Sequence, residues 1–356
     1  MSMAEKAAMG AKRAYYGASQ AARIAWYTGH YMAGRRKMGA VARPGQAPHA
    51  DEFQGLDRAQ LRRAFLELFQ EDWRNIEAGE YKLPVELRRP PSLGELVRQS
   101  RDYLRDTERV ARRRHANGHS EVMREDLSSR YPRYFLQNFH FQSDGWLSAA
   151  SAGRYDMQVE TLFTGAGAAM RRQALPLVRK ALAGRDPASL SYLDLACGAG
   201  AFTQSVLDEW PALHATALDL SPAYLGKARA ALSPYRNVRF IEAKAEATGL
   251  AAASFDVITA VYLFHELPPK IRVEVAAEIA RLLKPGGSFI LVDTIQYGDE
   301  PGFDTLLESF PRGFHEPYYD SYCRLDQAAH FAEAGLVKRD DRLAFLTKAT
   351  VFEKPR

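Results

Sequence analysis

The sequence predicts an α/β protein built on a Rossmann-like, mostly parallel sheet, with an α-helical region ahead of it. Three observations predict it. From residue 165 onward, short apolar runs alternate with helical patterns. That alternation makes a parallel sheet with right-handed crossovers, its strands near 191–196, 214–219, 238–242, 255–261 and 287–293. The first of these, in Ser191-Tyr-Leu-Asp-Leu-Ala-Cys-Gly-Ala-Gly-Ala-Phe-Thr203, runs into a glycine turn and then a helix. The next, Leu213-His-Ala-Thr-Ala-Leu-Asp219, ends in an acid about 20 residues past the glycines, as ribose recognition requires.

Tyr192, Leu193, Leu195 and Ala196 form the apolar run of a strand covered on both faces. Gly198 and Gly200 let the backbone turn sharply and leave no Cβ between chain and ligand. A helical pattern resumes at Phe202 and continues through Val206 and Leu207. A ligand therefore lies at the carboxyl end of this strand, against the first turn of a helix. Gly165–Leu182 reads as the helix before it.

Residues 57–78 read as an amphipathic helix, with Leu61, Phe65, Leu68, Phe69 and Ile76 on one face and Asp57 as N-cap. Ser92-Leu-Gly-Glu95 resembles a capping box, and the helix it opens stops at Asn117-Gly118. Arg112-Arg-Arg114, in its last turn, either complements the helix dipole or makes an anion site. Four segments are expected: a basic arm over 1–49, a helical domain over 50–130, an aromatic connector over 131–160, and the sheet domain over 161–356. The connector crowds Tyr131, Tyr134, Phe135, Phe139, His140, Phe141, Trp146 and Tyr155 around an Asp144-Gly145 turn, with no clean period. It either covers a cleft or joins the two domains by packing.

Several strings together resemble the class I S-adenosylmethionine-dependent methyltransferases, in particular the type 11 and ubiquinone-biosynthesis group. Leu193-Asp-Leu-Ala-Cys-Gly-Ala-Gly200 looks like their first motif and Asp219 like their ribose-binding acid. Ser254-Phe-Asp-Val-Ile-Thr-Ala260 looks like their fourth motif, and Leu282–Asp293 like the turn and fifth strand. The resemblance implies a seven-stranded sheet ending in an antiparallel hairpin, here Leu336–Arg342 and Leu346–Glu353, and S-adenosylmethionine as cofactor. It implies that Asp194 orients the amino-acid end of the cofactor, or else braces the glycine turn. Ala196, Gly198 and Gly200 offer backbone approach, Asp219 takes the ribose hydroxyls, and Leu220 flanks the adenine. Tyr155, in a Tyr155-Asp156 pair, and Tyr262 lie near the cofactor. Lys244 stands where the family often has the adenine-binding acid, which leaves the Ala245 backbone and Glu246 as adenine contacts.

His265 and Glu266 follow the fourth strand, at the mouth of the expected cleft. They are the acid/base candidates, because histidine titrates near neutral pH; the alternative is a helix cap. The His315-Glu-Pro-Tyr-Tyr-Asp-Ser-Tyr322 stretch offers His315, Glu316, Tyr318, Tyr319 and Tyr322 as substrate contacts, with Trp146 from the connector. The alternative is a surface loop with aromatic anchors. No metal site is expected.

The net charge of +5 is unevenly placed: residues 1–49 hold eight Lys/Arg against one acid, Glu5. The rest is nearly neutral, which argues against an extended nucleic-acid footprint, and no DNA partner is expected. The arm could contact an anionic membrane surface through Tyr16, Ile24, Trp26, Tyr27 and Tyr31, or pack on its own domain. Its removal is expected to leave the fold intact. Two cysteines give no disulfide framework, so a reducing, cytoplasmic setting is expected, with peripheral membrane association in reserve. The expected function is methyl transfer to a small molecule. Protein or RNA methylation, or a non-catalytic scaffold on the same fold, are the alternatives. Against the first, Tyr262-Leu-Phe-His replaces the Asn/Asp-Pro-Pro-Tyr signature of amino-methylating enzymes. Against the second, the glycines and Asp219 are intact.

Overall fold

The computed structural model describes residues 2–41, 56–116 and 118–356. The end of the expected 1–49 arm, from residue 42 on, and Asn117 of the expected helix stop lie outside them. The sheet has the order β3-β2-β1-β4-β5-β7-β6. Its strands are β1 (Ser191–Leu195), β2 (His214–Asp219), β3 (Val238–Glu242), β4 (Phe255–Val261), β5 (Leu283–Thr294), β6 (Val337–Ala344) and β7 (Thr347–Glu353). Five strands run parallel, and β7 pairs antiparallel with both β5 and β6.

Side chains alternate across β1 and sort into two cores. Tyr192 joins Val178, Val206 and Val257 on one face, while Leu193 and Leu195 join Ile258, Ile279 and Phe289 on the other. Such two-sided burial accounts for the continuous apolar run in this strand.

The helices before the sheet are α1 (Met3–Val41), α2 (Arg58–Glu77), α3 (Val85–Arg88), α4 (Leu93–His115), α5 (Glu125–Ser128), α6 (Ala149–Leu162), α7 (Gly167–Arg172) and α8 (Leu175–Leu182). Asp57 and Ser92 cap α2 and α4 as expected. The single helix expected over 165–182 is two, because Pro176 has no N–H to offer the Arg172 carbonyl and the chain restarts at α8. After β1 come α9 (Ala201–Glu209), α10 (Pro222–Ala231), α11 (Pro269–Leu282), α12 (Asp304–Gly313), α13 (Tyr319–Cys323) and α14 (Gln327–Glu333).

The N-terminal segment is not a detached arm. Tyr16 is 4% exposed and belongs to the same core as β1. Its hydroxyl donates to Asp72 Oδ2 on α2 at 2.6 Å. His30 Nε2 lies 2.7 Å from Ser100 Oγ on α4, and Lys37 donates to the Leu104 carbonyl. The apolar face once available for a membrane is thus spent on the protein's own interior. No helix among the described residues is long and apolar enough to cross a membrane.

A buried polar network joins the helical region to the sheet domain. Asp72 is fully buried and accepts from Tyr16, Tyr81 and Arg172, the last at 2.8 Å. A buried pair of this kind fixes how α2 meets α7, since either ion alone is costly there.

Candidate active site

The carboxyl ends of neighbouring strands make one wall of the site. Leu195 is in register with Leu218 of β2 and with Ala260 of β4, and Val261 with Val292 of β5. The residues that follow are Ala196, Asp219, Tyr262 and Asp293. Strand order reverses between β1 and β4, the place where open α/β sheets bind ligands. Ala196 (φ 60°) and Tyr262 (φ 55°) both take left-handed backbone. Such strain costs about 1–3 kcal/mol each and persists only where surroundings enforce it. Here Cys197 N–H donates to Leu218 O, and Tyr262 N–H to Val292 O.

Gly200 caps α9 at φ 83°, and a Cβ there would lie 3.1 Å from Ala228 Cβ. Its role is close packing of the turn on α10. Gly198 differs: a Cβ would meet only Tyr224 Cδ1, at 4.0 Å, so it would intrude on cleft space instead. Asp219 accepts from Gly198 N–H and Ser221 N–H, each at 2.8 Å. Burial raises its carboxyl to about 6, against those bonds. Asp194 is gripped by the hydroxyls of Thr203 (2.5 Å) and Thr259 (3.0 Å), which brace the turn.

Asp194, Ala196, Gly198 and Asp219 line a cleft with Leu220, Ala245, Tyr155, Trp146 and Tyr262; Gly200, expected beside the ligand, packs on α10 outside the lining. Trp146, expected as a substrate contact, lines this cleft and not the second cavity beside it. It packs edge-on to Tyr155 and Tyr224, with ring centroids 5.6 and 5.5 Å apart. The aromatic connector thus covers the cleft. Glu246 is not in the lining; both its oxygens accept from Tyr134. Arg171, unforeseen from sequence, enters the cleft from α7 and pairs with Glu160 at 3.4 Å.

A second cavity, an apolar chamber of about 750 Å³, opens beside the cleft. The two share Tyr155, Tyr262 and Glu266. His265, His140 and Tyr319 face the chamber. His265 Nδ1 lies 2.5 Å from Asp293 Oδ1. Asp293 also accepts from Phe264 N–H and Thr294 N–H, so a proton belongs on Nδ1, while Nε2 lies 4.0 Å from Glu266 Oε1. Burial opposes charge on His265, but Asp293, Glu316 and Glu266 outweigh it and raise the ring to about 9. Glu316 is fully buried with an oxygen 3.1 Å from His140 Nε2, and burial raises it to about 8. Glu266 is likewise pushed well up by burial. His140, at φ 53°, is lowered to about 3 by burial and then by His265.

The remaining expected substrate residues fall elsewhere. His315 lies 2.8 Å from Gln137 Oε1 and stacks on His119. Tyr318 accepts from Gln137 Nε2. Tyr322 is wholly buried, under Arg272 and bonded to Gln327. These three hold the loop in place instead of lining the chamber. Asp293 closes the fifth strand and was visible as such, but its pairing with His265 needed the β4–β5 register. His140 carried no periodic signal at all.

A doubly wound sheet with an acid-ended β2 and a glycine turn opposite it is the frame of a nucleoside-binding site. Residues 193–287 match the family model described as a methyltransferase domain, and the chain carries the class I S-adenosylmethionine-dependent methyltransferase fold. It is 33% identical over 126 residues to the carboxy-S-adenosyl-L-methionine synthase of Aeromonas salmonicida, covering 35% of this chain and 51% of that one. It is 29% identical to the ubiquinone/menaquinone biosynthesis C-methyltransferase of Rhizobium etli, over 45% of this chain and 60% of that one. The chain spans about half the length of the curated relatives it matches. Among solved structures, the CurJ carbon methyltransferase aligns over 95% of this chain and 92% of its own, at 14% identity and a TM-score of 0.48. S-adenosylmethionine is the cofactor.

Proposed function

We propose that the chain transfers a methyl group from S-adenosylmethionine to a small-molecule acceptor held in the apolar chamber. One observation carries this: cleft and chamber meet at Tyr155, Tyr262 and Glu266, with the buried His265–Asp293 pair beside the junction. The bound cofactor supplies an electrophilic methyl carbon on a sulfonium. Asp219 receives the ribose hydroxyls, Arg171 balances the amino-acid carboxylate, and the backbone of Ala196 and Gly198 gives close approach. Tyr155 and Tyr262 orient the acceptor at the junction. Such positioning supplies ~7–11 kcal/mol in well-oriented cases. His265 Nε2 takes the acceptor's proton, and Asp293 stabilises the imidazolium that results. An apolar chamber of about 750 Å³ fits a small molecule better than a polymer, and the relatives' names support that class.

The test is direct. Calorimetry should detect S-adenosylmethionine binding, and label from its methyl group should enter an organic extract of metabolites. His265→Ala should keep cofactor affinity while cutting transfer by ~10²–10⁴-fold. Absence of cofactor binding, or label entering only protein or RNA, would sink the reading.

A further inference from the structure

We infer that the acceptor is an amphipathic acid: an extended apolar body carrying one anionic group, carboxylate or phosphate. The inference rests on the methyltransferase reading above and adds the substrate class.

The chamber's shape points to an extended body. Helix α1 contributes Ile24, Thr28, Tyr31, Arg35 and Met38 to its wall. Their spacing of four, three, four and three places them on one stripe. The fourteen steps from Ile24 to Met38 run about 21 Å at ~1.5 Å per residue. The volume of about 750 Å³ lies within the ~300–1,000 Å³ of small-molecule pockets. Phe65, Leu307 and Phe310 from other elements keep the wall apolar.

The charges in the wall are segregated. Among the described residues of the lining, Glu266 is the one carboxylate, and it sits at the junction with the cleft, near His265 and His140. The remaining charged groups are Arg35, Arg58, Arg62 and Arg114, all cations. They come from the second-last turn of α1, the last turn of α4 and the first turns of α2. Arg35, Arg58 and Arg62 are exposed, which marks where the chamber reaches solvent. Arg58 and Arg62 are one turn apart on the same face of α2. Neither has an ion-pair partner among the described residues. Three helix ends thus converge guanidinium groups on the mouth of an otherwise apolar space. Guanidinium forks suit carboxylate and phosphate oxygens, and low-dielectric walls strengthen that attraction. An acid held there fixes the depth at which the acceptor atom meets His265.

The experiment uses the full chain saturated with S-adenosylhomocysteine, and two probes: 11-(dansylamino)undecanoic acid and its methyl ester. The acid should bind with blue-shifted emission at least ~10-fold more tightly than the ester, and less tightly as salt rises. The double variant Arg58→Gln/Arg62→Gln should bind the acid as weakly as the ester, with S-adenosylhomocysteine affinity unchanged. Arg63→Gln, exposed on α2 and outside the lining, should bind both probes like the parent. Competition by laurate against dodecyl phosphate then decides between carboxylate and phosphate. Equal affinity for acid and ester, or an unaffected double variant, overturns the anionic group. Failure of both probes to bind the S-adenosylhomocysteine complex overturns the apolar body. Failure to bind S-adenosylhomocysteine itself overturns the methyltransferase reading instead.

Discussion

Asp293 Oδ1 accepts a 2.5 Å hydrogen bond from His265 Nδ1, and the same oxygen takes the Thr294 N–H. The carboxylate is wholly buried and anchored at the end of β5. It therefore sets the tautomer of His265, aims Nε2 at the chamber, and favours the charged ring. Asp293→Asn should remove that charge while keeping the shape. The His265 titration, followed by NMR of ring-labelled histidine, should then fall from about 9 toward or below its ordinary value. An unmoved titration would mean that the pairing does not govern the ring.

The rate should follow the same proton. A base works only when neutral, so kcat/KM should rise with pH and level off near 9. In Asp293→Asn that limb should move to lower pH, with a lower plateau because the ring is less well oriented. A pH profile with no such limb in the parent enzyme would remove His265 as the base.

Burial of Glu316 makes a statement about stability. Its folded value of about 8 lies above the ordinary 4.5, so the folded state holds a proton that the unfolded chain has released. Stability from this group is present at low pH and is lost as pH rises from about 4.5 through about 8. His265, raised from 6.5 to about 9, acts in the same direction between those values. These two groups should therefore pull the melting temperature of the cofactor-free protein down between about pH 5 and about pH 9, while His140 and His315, lowered by burial, pull it up as pH rises to about 6.5. Glu316→Gln has no proton to lose and should flatten the lower part of that decline. An identical slope in the variant would show that Glu316 is already ionised when buried.

Asp219→Ala should weaken S-adenosylhomocysteine binding by about 3 kcal/mol or more, roughly a hundredfold in Kd, if two charge-assisted bonds to the ribose are lost. The N–H groups of Gly198 and Ser221 also lose their acceptor, so the turn itself loosens. Calorimetry on the parent and variant reads this directly. An unchanged Kd would take Asp219 out of the ribose site.

The sheet was legible because its signals are local. The apolar run of Tyr192 to Ala196, the glycines after it, and the acid closing β2 each follow from chain chemistry at one place. The caps Asp57 and Ser92 were legible for the same reason. What was hidden depends on contacts far apart in sequence. His265 meets Asp293 only through the pairing of β4 with β5, and Glu316 reaches His140 across the connector. Tyr318 and Tyr322 have the composition of a binding loop, yet Gln137 and Gln327 satisfy their hydroxyls within the fold. Helix α1 misled because its basic surface dominates the composition, while Tyr16, Ile24 and Tyr31 face inward at helical spacing.

That last point has the sharpest test. Tyr16 donates to Asp72 at 2.6 Å, and its ring lies 5.5 Å from that of Trp73. Asp72 in turn holds Arg172 of α7. Tyr16→Phe keeps the ring and deletes one bond to a buried carboxylate, which should cost ~1.5–3 kcal/mol by denaturant unfolding. Asp72 retains Tyr81 and Arg172, so the variant should still fold. Deleting residues 2–41 is more severe. It uncovers Trp73 and Ile76, removes one wall of the chamber, and leaves Glu160 without Arg23. The truncated chain should lose cooperative unfolding, or melt far below the parent, as read by circular dichroism. A truncated chain that melts like the parent and binds S-adenosylhomocysteine equally well would make α1 an appendage, and the loss in Tyr16→Phe would then have to vanish too.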